Sequence, residues 1–212
     1  MATQDTSTRY GSVAQTLHWT TALLAVALLV IGKMGLVDAE HAGSAGFMWH
    51  GSLGVLVLAL VAARLLWRLV SAPPQFPPTM TRFARIAATT MHFSLYALLV
   101  ALPLSGWLAA SAEGSNVNFF NVATIPAWEG TAAPPAASAA LPRMQPTPET
   151  AGQDSEDLAK EVHELLGDAL IILVGLHILA ALKHEFVDHD GLIRRMLPAF
   201  RPKSAGAGPI GG

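Results

Sequence analysis

Residues 163–184 of this 212-residue chain read HELLGDALIILVGLHILAALKH. Within the apolar part of this stretch, 165–182, the only charged residue is Asp168. The stretch is therefore close to the ~20 residues that a helix needs to cross the hydrocarbon core of a membrane. His163 and His177 are separated by fourteen residues, which turn a helix by ~1400°, within ~40° of four full turns, and advance it by ~21 Å. Both imidazoles therefore project from one face at two levels, where two stacked groups can bind and a single group cannot.

The composition of the whole chain agrees with a membrane location. Apolar types make up 52% of the residues and charged types only 13%, about half of the ~25% that is usual in a soluble domain. This composition excludes a disordered chain, and the net charge of −2 gives no electrostatic footprint for nucleic acid. The chain has no cysteine, which excludes disulfides, thiolate zinc sites and iron–sulfur ligation.

Four charge-poor stretches predict an all-α integral membrane four-helix bundle. The expected helices lie near 16–36, 49–70, 87–110 and 163–183. They form one transmembrane domain over 1–200, followed by a disordered tail over 201–212.

The connection before the last helix, 111–162, is predicted to be an outer loop. Its Ala- and Pro-rich part, 132–148, has no apolar periodicity and is typical of flexible segments. Ser155 to Lys160, with Glu156 and Asp157 in the first turn, is expected to open the fourth helix.

The distribution of cations predicts the orientation in the membrane. Ten Lys and Arg residues fall on the side of the two termini, and three, Lys33, Arg143 and Lys160, fall on the other. By the positive-inside rule, both termini of this multi-pass protein are expected in the cytoplasm.

Two further histidines match the levels of His163 and His177. His18 lies near the cytoplasmic start of the first helix and His50 near the outer start of the second. Because the fourth helix runs from outside to inside, the expected pairs are His18 with His177 and His50 with His163. Haem iron takes axial imidazoles, and bundle cores commonly hold such cofactors. A zinc site would need three or four ligands at one level, so the pattern favours two b-type haems in the bundle core.

Small residues follow each of these four histidines at position i+4. They are Ala22, Gly54, Gly167 and Ala181. A small residue one turn away leaves room for a porphyrin against the helix, although Gly and Ala also serve tight helix packing without haem.

Other polar residues of the spans leave alternatives open. His92 and His184 are followed at i+4 by Tyr96 and Asp188 and are therefore interpreted as non-ligands, with His92 as a candidate for a hydrogen bond between helices. Arg64 and Arg68 either extend toward the membrane surface or pair with haem propionates. His41 and His189 fall in loops and are interpreted as solvated.

At this point the chain resembles the prokaryotic cytochrome b561 family. The resemblance covers about residues 9–110 and 160–197. It is carried by Arg9-Tyr10-Gly11 before His18-Trp19, Arg64-Leu65-Leu66-Trp67-Arg68, Pro103-Leu104-Ser105-Gly106, His163-Glu164, Gly175-Leu176-His177 and Ala181-Leu182-Lys183-His184.

The resemblance implies a four-helix bundle with two haems b, ligated at the positions that match His18, His50, His163 and His177. It also implies electron exchange with the quinone pool, with ubiquinone as substrate, and in some members the oxidation of superoxide coupled to ubiquinone reduction. Activity as a superoxide oxidase is therefore one hypothesis.

The charge of the outer segments favours a different electron donor. Segments 33–49 and 111–162 hold nine acidic residues and three cations, whereas an anion such as superoxide is steered by a positive funnel. A negative outer face suits a basic redox partner such as a soluble cytochrome c. The alternative hypothesis is thus a non-catalytic cytochrome b subunit that relays electrons between quinone and a periplasmic cytochrome c or dehydrogenase.

A quinone site is expected on the cytoplasmic side, near His18 and His177. Quinone reduction consumes protons, so a titrating donor is needed, and His184 is the first candidate because imidazole changes charge near physiological pH. Thr20, Arg85 and His92 are the further candidates. In the rival interpretation, Lys183 and His184 only anchor the helix at the membrane surface.

Overall fold

The computed structural model describes residues 3–35, 37, 44–128 and 148–197, with side chains from residue 156 onward in the last range. The elements in chain order are α1 (Ser12–Lys33), α2 (Ala45–Val70), α3 (Arg82–Ala112), β1 (Val117–Phe119), β2 (Ala123–Ile125), α4 (Pro148–Phe186) and α5 (Leu192–Met196).

Four helices are long and apolar enough to cross a membrane: α1, α2, α3 and the part of α4 from Glu156 to Phe186. Large apolar side chains cover their outer surfaces; Leu23, Phe93 and Ile172, for example, are 69%, 73% and 63% exposed. Such an exterior is suited to lipid, where apolar side chains need no burial against protein. The predicted fold class, an all-α membrane four-helix bundle, is confirmed.

The helices extend beyond the apolar stretches from which they were predicted. Near their starts, α2 and α3 have side-chain caps: the backbone N–H of Phe47 donates to Ser44 Oγ (3.1 Å) and that of Ala84 to Thr81 Oγ1 (3.2 Å). Capping hydroxyls satisfy the free donors of the first turn, so each helix begins at its cap, several residues before the apolar run.

The prediction for the start of the fourth helix was wrong. Helix α4 begins at Pro148, so Ser155 to Lys160 lies inside it, and the outer loop predicted over 111–162 is shorter and partly ordered. Proline suits the first turn of a helix, because its missing N–H would have no partner there. Residues 129–147, the tail over 201–212 and His41 lie outside the described residues.

The helices pack mainly against their neighbours in sequence: α1 against α2, α2 against α3, and α3 against α4. Direct backbone approach between α1 and α4 is sparse by comparison. The residues buried between helices are mostly small, among them Ala25, Ser52, Val61 and Ala109. Helices α1 and α4 thus face each other mostly through their side chains.

The two ends of the chain meet at one end of the bundle, which we call the termini end. The backbone N–H of Tyr10 donates to the carbonyl of Arg195 (3.3 Å), and Trp19 Nε1 donates to the carbonyl of Met196 (2.9 Å). Gly11 permits the N-terminal segment to fold back, since a Cβ there would lie 2.5 Å from the backbone of Gln4. Helix α5 and the N-terminal segment therefore close this end together.

At the opposite end, the hairpin end, an antiparallel β-hairpin pairs Val117 with Ile125 and Phe119 with Ala123. Its turn places Phe120 and Asn121 at φ angles of 48° and 57°, and the N–H of Val122 donates to the carbonyl of Phe119 (2.9 Å). Positive φ at both central residues is the type I′ geometry that suits tight hairpins.

The hairpin is fixed to the bundle by one buried hydroxyl. Ser52, which is 0% exposed, donates through Oγ to the carbonyl of Asn118 (2.8 Å) and accepts from the N–H of Phe120 (2.9 Å). The Phe120 ring packs edge-on against Trp49, with 5.4 Å between ring centroids. The hairpin therefore lies directly on the start of α2.

Replacing Ser52 by Ala should loosen the hairpin while the four helices stay folded. The substitution leaves two backbone groups without their partner, at a cost of about 1–3 kcal/mol for each group that stays buried. We expect faster amide hydrogen exchange over 117–125, measured by mass spectrometry in detergent micelles.

Thr124→Ala is the matched control, because its hydroxyl donates to Asn118 Oδ1 (3.0 Å) on the exposed side of the same hairpin. Equal exchange in Ser52→Ala and Thr124→Ala would contradict the anchoring role of Ser52.

Candidate functional site

At the hairpin end, the structure brings together His50 of α2 and His163 of α4. Their ring centroids are 6.2 Å apart. Two imidazoles bound to one metal ion from opposite sides, with bonds of about 2 Å, have centroids roughly 6.3 Å apart. The separation of this hairpin-end pair thus leaves room for one metal ion between the rings.

At the termini end, His18 of α1 lies opposite His177 of α4, with ring centroids 6.5 Å apart. His92 of α3 is a third histidine at this level, and its ring is 5.3 Å from that of His177. That distance is shorter than the roughly 6.3 Å expected for two imidazoles on opposite sides of one metal ion. His92 Nδ1 donates instead to the carbonyl of Ala88 (2.6 Å), so His18 and His177 form the termini-end pair.

Buried nitrogen atoms without partners mark both pairs. In the part of the chain that the structure describes, four buried side-chain atoms lack a hydrogen-bond partner, and two of them are the Nδ1 atoms of His18 and His50. A buried polar atom without a partner is costly and calls for an explanation such as a bound group. The donor set, two imidazoles per level, is the set that haem iron takes.

There is open space beside the helix one turn after His50 and one turn after His163. A Cβ placed on Gly54 or Gly167 would meet no atom within 4 Å, although Gly167 is buried. A close-packed interior leaves few such spaces. The residues present therefore fit a flat cofactor against α2 and α4.

Helix α3 holds His163 in place through two residues whose role the sequence did not reveal. Ser105 Oγ donates to the carbonyl of Leu102 (2.9 Å), so it accepts from His163 Nδ1–H (3.0 Å), which leaves Nε2 free to ligate. A hydrogen bond from the second ring nitrogen is the usual way in which a metal-binding histidine is oriented. Gly106 leaves space for the ring, because a Cβ there would lie 2.9 Å from His163 Cε1.

His184 stands at the termini end of α4, seven residues and ~10 Å beyond His177 on about the same face of the helix. Its Nδ1–H donates to Asp190 Oδ2 (2.7 Å), and Asp188 Oδ2 lies 3.1 Å away. The hydrogen bond from Lys183 holds the pKa of the exposed Asp188 below its ordinary value, so this carboxylate stays charged. The arrangement leaves His184 Nε2 without a partner among these groups.

The structure does not bring two of the four predicted quinone residues to the termini-end pair. Thr20 is exposed and lies ~200° around α1 from His18. Arg85 is also exposed, and its guanidinium donates to the carbonyls of Met80 (3.1 Å) and Pro77 (3.4 Å) at the start of α3. Of the four, His92 lies at the pair and His184 beside it.

Both described cations at the hairpin end are engaged in ion pairs. Lys33 Nζ lies 2.6 Å from Asp168 Oδ1. Lys160 Nζ lies 2.9 Å from Glu113 Oε1 and 2.8 Å from Glu156 Oε1. Among the described residues, neither Lys33 nor Lys160 is therefore left unpaired to attract an anion such as superoxide to this end.

The sequence of the chain is similar to those of known proteins. The sequence model of prokaryotic cytochrome b561 matches residues 9–199. The chain is 29% identical to cytochrome b561 homolog 2 of Escherichia coli (strain K12) over 93% of this chain and 95% of that protein. It is 27% identical to the probable superoxide oxidase CybB of Yersinia pestis, over 91% and 98% of the two chains. It is 28% identical to cytochrome b561 homolog 1 of Escherichia coli (strain K12), over 90% and 97%.

The match spans all four membrane helices and both histidine pairs. A fold of membrane helices with paired imidazoles in its interior agrees with the electron-transfer role of that family and with its b-type haem. The chain belongs to the prokaryotic cytochrome b561 family.

Proposed function

We propose that the chain transfers electrons across the bacterial inner membrane, between a redox partner at the hairpin end and the quinone pool at the termini end. The proposal rests on the two histidine pairs, whose centroid separations of 6.2 and 6.5 Å would each leave room for one haem iron between the rings. The pairs lie at two levels, ~21 Å apart along α4. Each haem b, when bound, takes up and gives up one electron.

The termini end is proposed to face the cytoplasm. Among the described residues, eight Lys and Arg side chains belong to this end, and only Lys33 and Lys160 belong to the hairpin end. An excess of Lys and Arg in short connections is characteristic of the cytoplasmic side. Both termini are therefore proposed to be cytoplasmic, and the hairpin periplasmic.

Removing one ligand should remove one haem only. We expect two haems per chain by the pyridine haemochrome assay. His50→Ala and His163→Ala should lose the haem of the hairpin-end pair, while His18→Ala and His177→Ala should lose the other. Each variant should retain about half of the haem, because the two levels share no ligand.

His92→Ala and the exposed His189→Ala are the matched controls and should keep both haems. One haem per wild-type chain, or loss of both haems from each folded ligand variant, would refute the assignment of the pairs.

The termini end is proposed to reduce or oxidise a quinone, with ubiquinone as the expected substrate. Reducing a quinone takes two protons as well as two electrons, so a group that can hand over a proton is required beside the quinone ring. His184 meets this need, because Asp190 orients its ring through Nδ1–H and leaves Nε2 to exchange a proton with the substrate. The exposed loop after α4 gives water access for replacing that proton.

His184→Ala should slow the quinone-dependent oxidation of the pre-reduced protein while haem content stays unchanged. General acid–base catalysis contributes roughly 10²–10⁴-fold, so we expect a loss of at least about tenfold in stopped-flow rate. Added imidazole should restore part of the rate, which it could not do if His184 only anchored the helix. Asp190→Asn should give a smaller loss.

His189→Ala, five residues along, is the control and should oxidise like the wild type. An undiminished rate in His184→Ala would place the quinone elsewhere, and His92 would then be the next residue to test.

The electron donor at the hairpin end is proposed to be a basic redox protein. The pairing of Lys33 and Lys160 with carboxylates supports this, because it leaves the outer face with an excess of acidic residues. A negative face raises the rate of encounter with a positively charged partner. Superoxide is the second candidate donor, favoured by the likeness to the probable superoxide oxidase CybB.

The salt dependence of haem reduction distinguishes the two donors. With reduced cytochrome c as the basic probe, the rate should fall as ionic strength rises, since salt screens attraction. With superoxide, the rate should be slow and should not fall with salt, because no described cation at this end is free to steer an anion. Fast reduction by superoxide that is slowed by salt would instead support the enzyme hypothesis.

A further inference from the structure

Arg64 lies inside the membrane span of α2, six residues before its end at Val70. Arg68, one turn closer to the end, is exposed, whereas Arg64 is half-buried. The guanidinium of Arg64 lies over the ring of Tyr96 on α3, 5.3 Å from the ring centroid. It is therefore directed into the bundle rather than extended to the membrane surface.

Within the described part of the chain, no carboxylate balances this charge, because Arg64 forms no ion pair with Asp or Glu. Tyr96, Tyr10 and Arg68 are among the ionisable groups in its electrostatic surroundings. A guanidinium remains charged at all accessible pH values, and a buried charge without a partner is strongly unfavourable. Cation–π contact with Tyr96 compensates only part of that cost.

The position of Arg64 along α2 places it at about the level of the termini-end pair. It follows His50 by fourteen residues, the same spacing that separates His163 from His177. It therefore shares the face of α2 that carries His50, ~21 Å further along the helix. His18, His92 and His177 all lie within electrostatic range of its guanidinium.

We propose that Arg64 binds a carboxylate of the haem held by His18 and His177. This inference rests on the proposed function, and it deepens it by assigning the anchor of the propionate groups. A guanidinium can bind a carboxylate through two parallel hydrogen bonds, which fixes orientation as well as position. Arg64 thereby sets how the cofactor is seated, while the histidines hold the iron.

The hydroxyl of Tyr10 is a second group that can bind the same haem carboxylate. Its side chain lies close enough to Arg64 for the two to interact electrostatically. Burial raises the pKa of Tyr10, so its hydroxyl stays protonated and can donate a hydrogen bond. A phosphate of a lipid headgroup would also satisfy a guanidinium, but headgroups lie at the ends of the helices, where the exposed Arg68 is placed.

The test compares haem with its dimethyl ester, in which both carboxylates are blocked. The full-length chain is loaded with either form, and the rate of transfer to excess apomyoglobin is measured. In Arg64→Met, one of the two haems should be lost about tenfold faster or more, because charge-assisted hydrogen bonds are lost. The dimethyl ester should leave Arg64→Met and the wild type at the same rate.

Arg82→Met, which removes an exposed arginine at the same end of the bundle, is the matched control and should behave like the wild type. Arg64→Lys should be intermediate, since it keeps the charge but loses the paired hydrogen bonds. Repeating the measurement in the His50→Ala background identifies the haem affected as the one at the termini-end pair.

Equal acceleration for haem and its dimethyl ester would overturn the inference, because packing or a lipid phosphate would then explain Arg64. Unchanged retention of haem in Arg64→Met would overturn it as well, while a chain that still binds two haems leaves the proposed function intact. If Arg64→Met does not fold, Arg64→Lys decides: it should lose haem faster than the wild type does, and it should lose the dimethyl ester at the same rate as the wild type.

Discussion

A helix that carries histidines fourteen residues apart places two imidazoles on one side of a membrane bundle, ~21 Å from each other. In hydrocarbon, neither imidazole can remain without a partner at low cost. The other helices of the bundle supply a partner histidine for each of these imidazoles. Helix α2 brings His50 to the level of His163, and α1 brings His18 to the level of His177. Direct contact between α1 and α4 stays sparse, as expected if a cofactor rather than side-chain packing fills the space between them.

The hairpin-end pair is supported by α3 and by the β-hairpin. At the hairpin end, Ser105 and Gly106 of α3 fix the ring of His163. Ser52, two residues after His50, holds the hairpin over the start of α2. A bulky residue, Phe120, accepts a left-handed backbone conformation in the turn, which costs of order 1–3 kcal/mol. The hydrogen bonds of Ser52 and the aromatic contact with Trp49 offset that cost.

The sequence predicts the four membrane spans, because long runs without charge leave few alternatives. The helical spacing also leads to the two histidine pairs that the structure brings together, while their role as haem ligands stays a prediction. It does not predict the rotation of α3. A membrane helix is apolar on its lipid side and on its protein side, so no amphipathic pattern shows that His92 faces His177. The early start of α4 at Pro148 lies in a polar segment without a membrane signal. The hairpin was missed because its turn contains Phe120 and Asn121 in place of the glycine that usually marks such turns.

The two ends of the bundle carry different polar groups. This difference decides which end can couple electron transfer to proton transfer. At the hairpin end, the described cations are already matched with carboxylates, as in Lys33 with Asp168, and serine hydroxyls are used for holding structure. Such an end can pass electrons, and its acidic residues give it an excess of negative charge. At the termini end, His184 has an oriented ring and a carboxylate behind it, next to an exposed loop. A reaction that couples electrons to protons requires this second environment, which supports our proposal that a quinone binds at the termini end and that a partner exchanging electrons alone binds at the hairpin end.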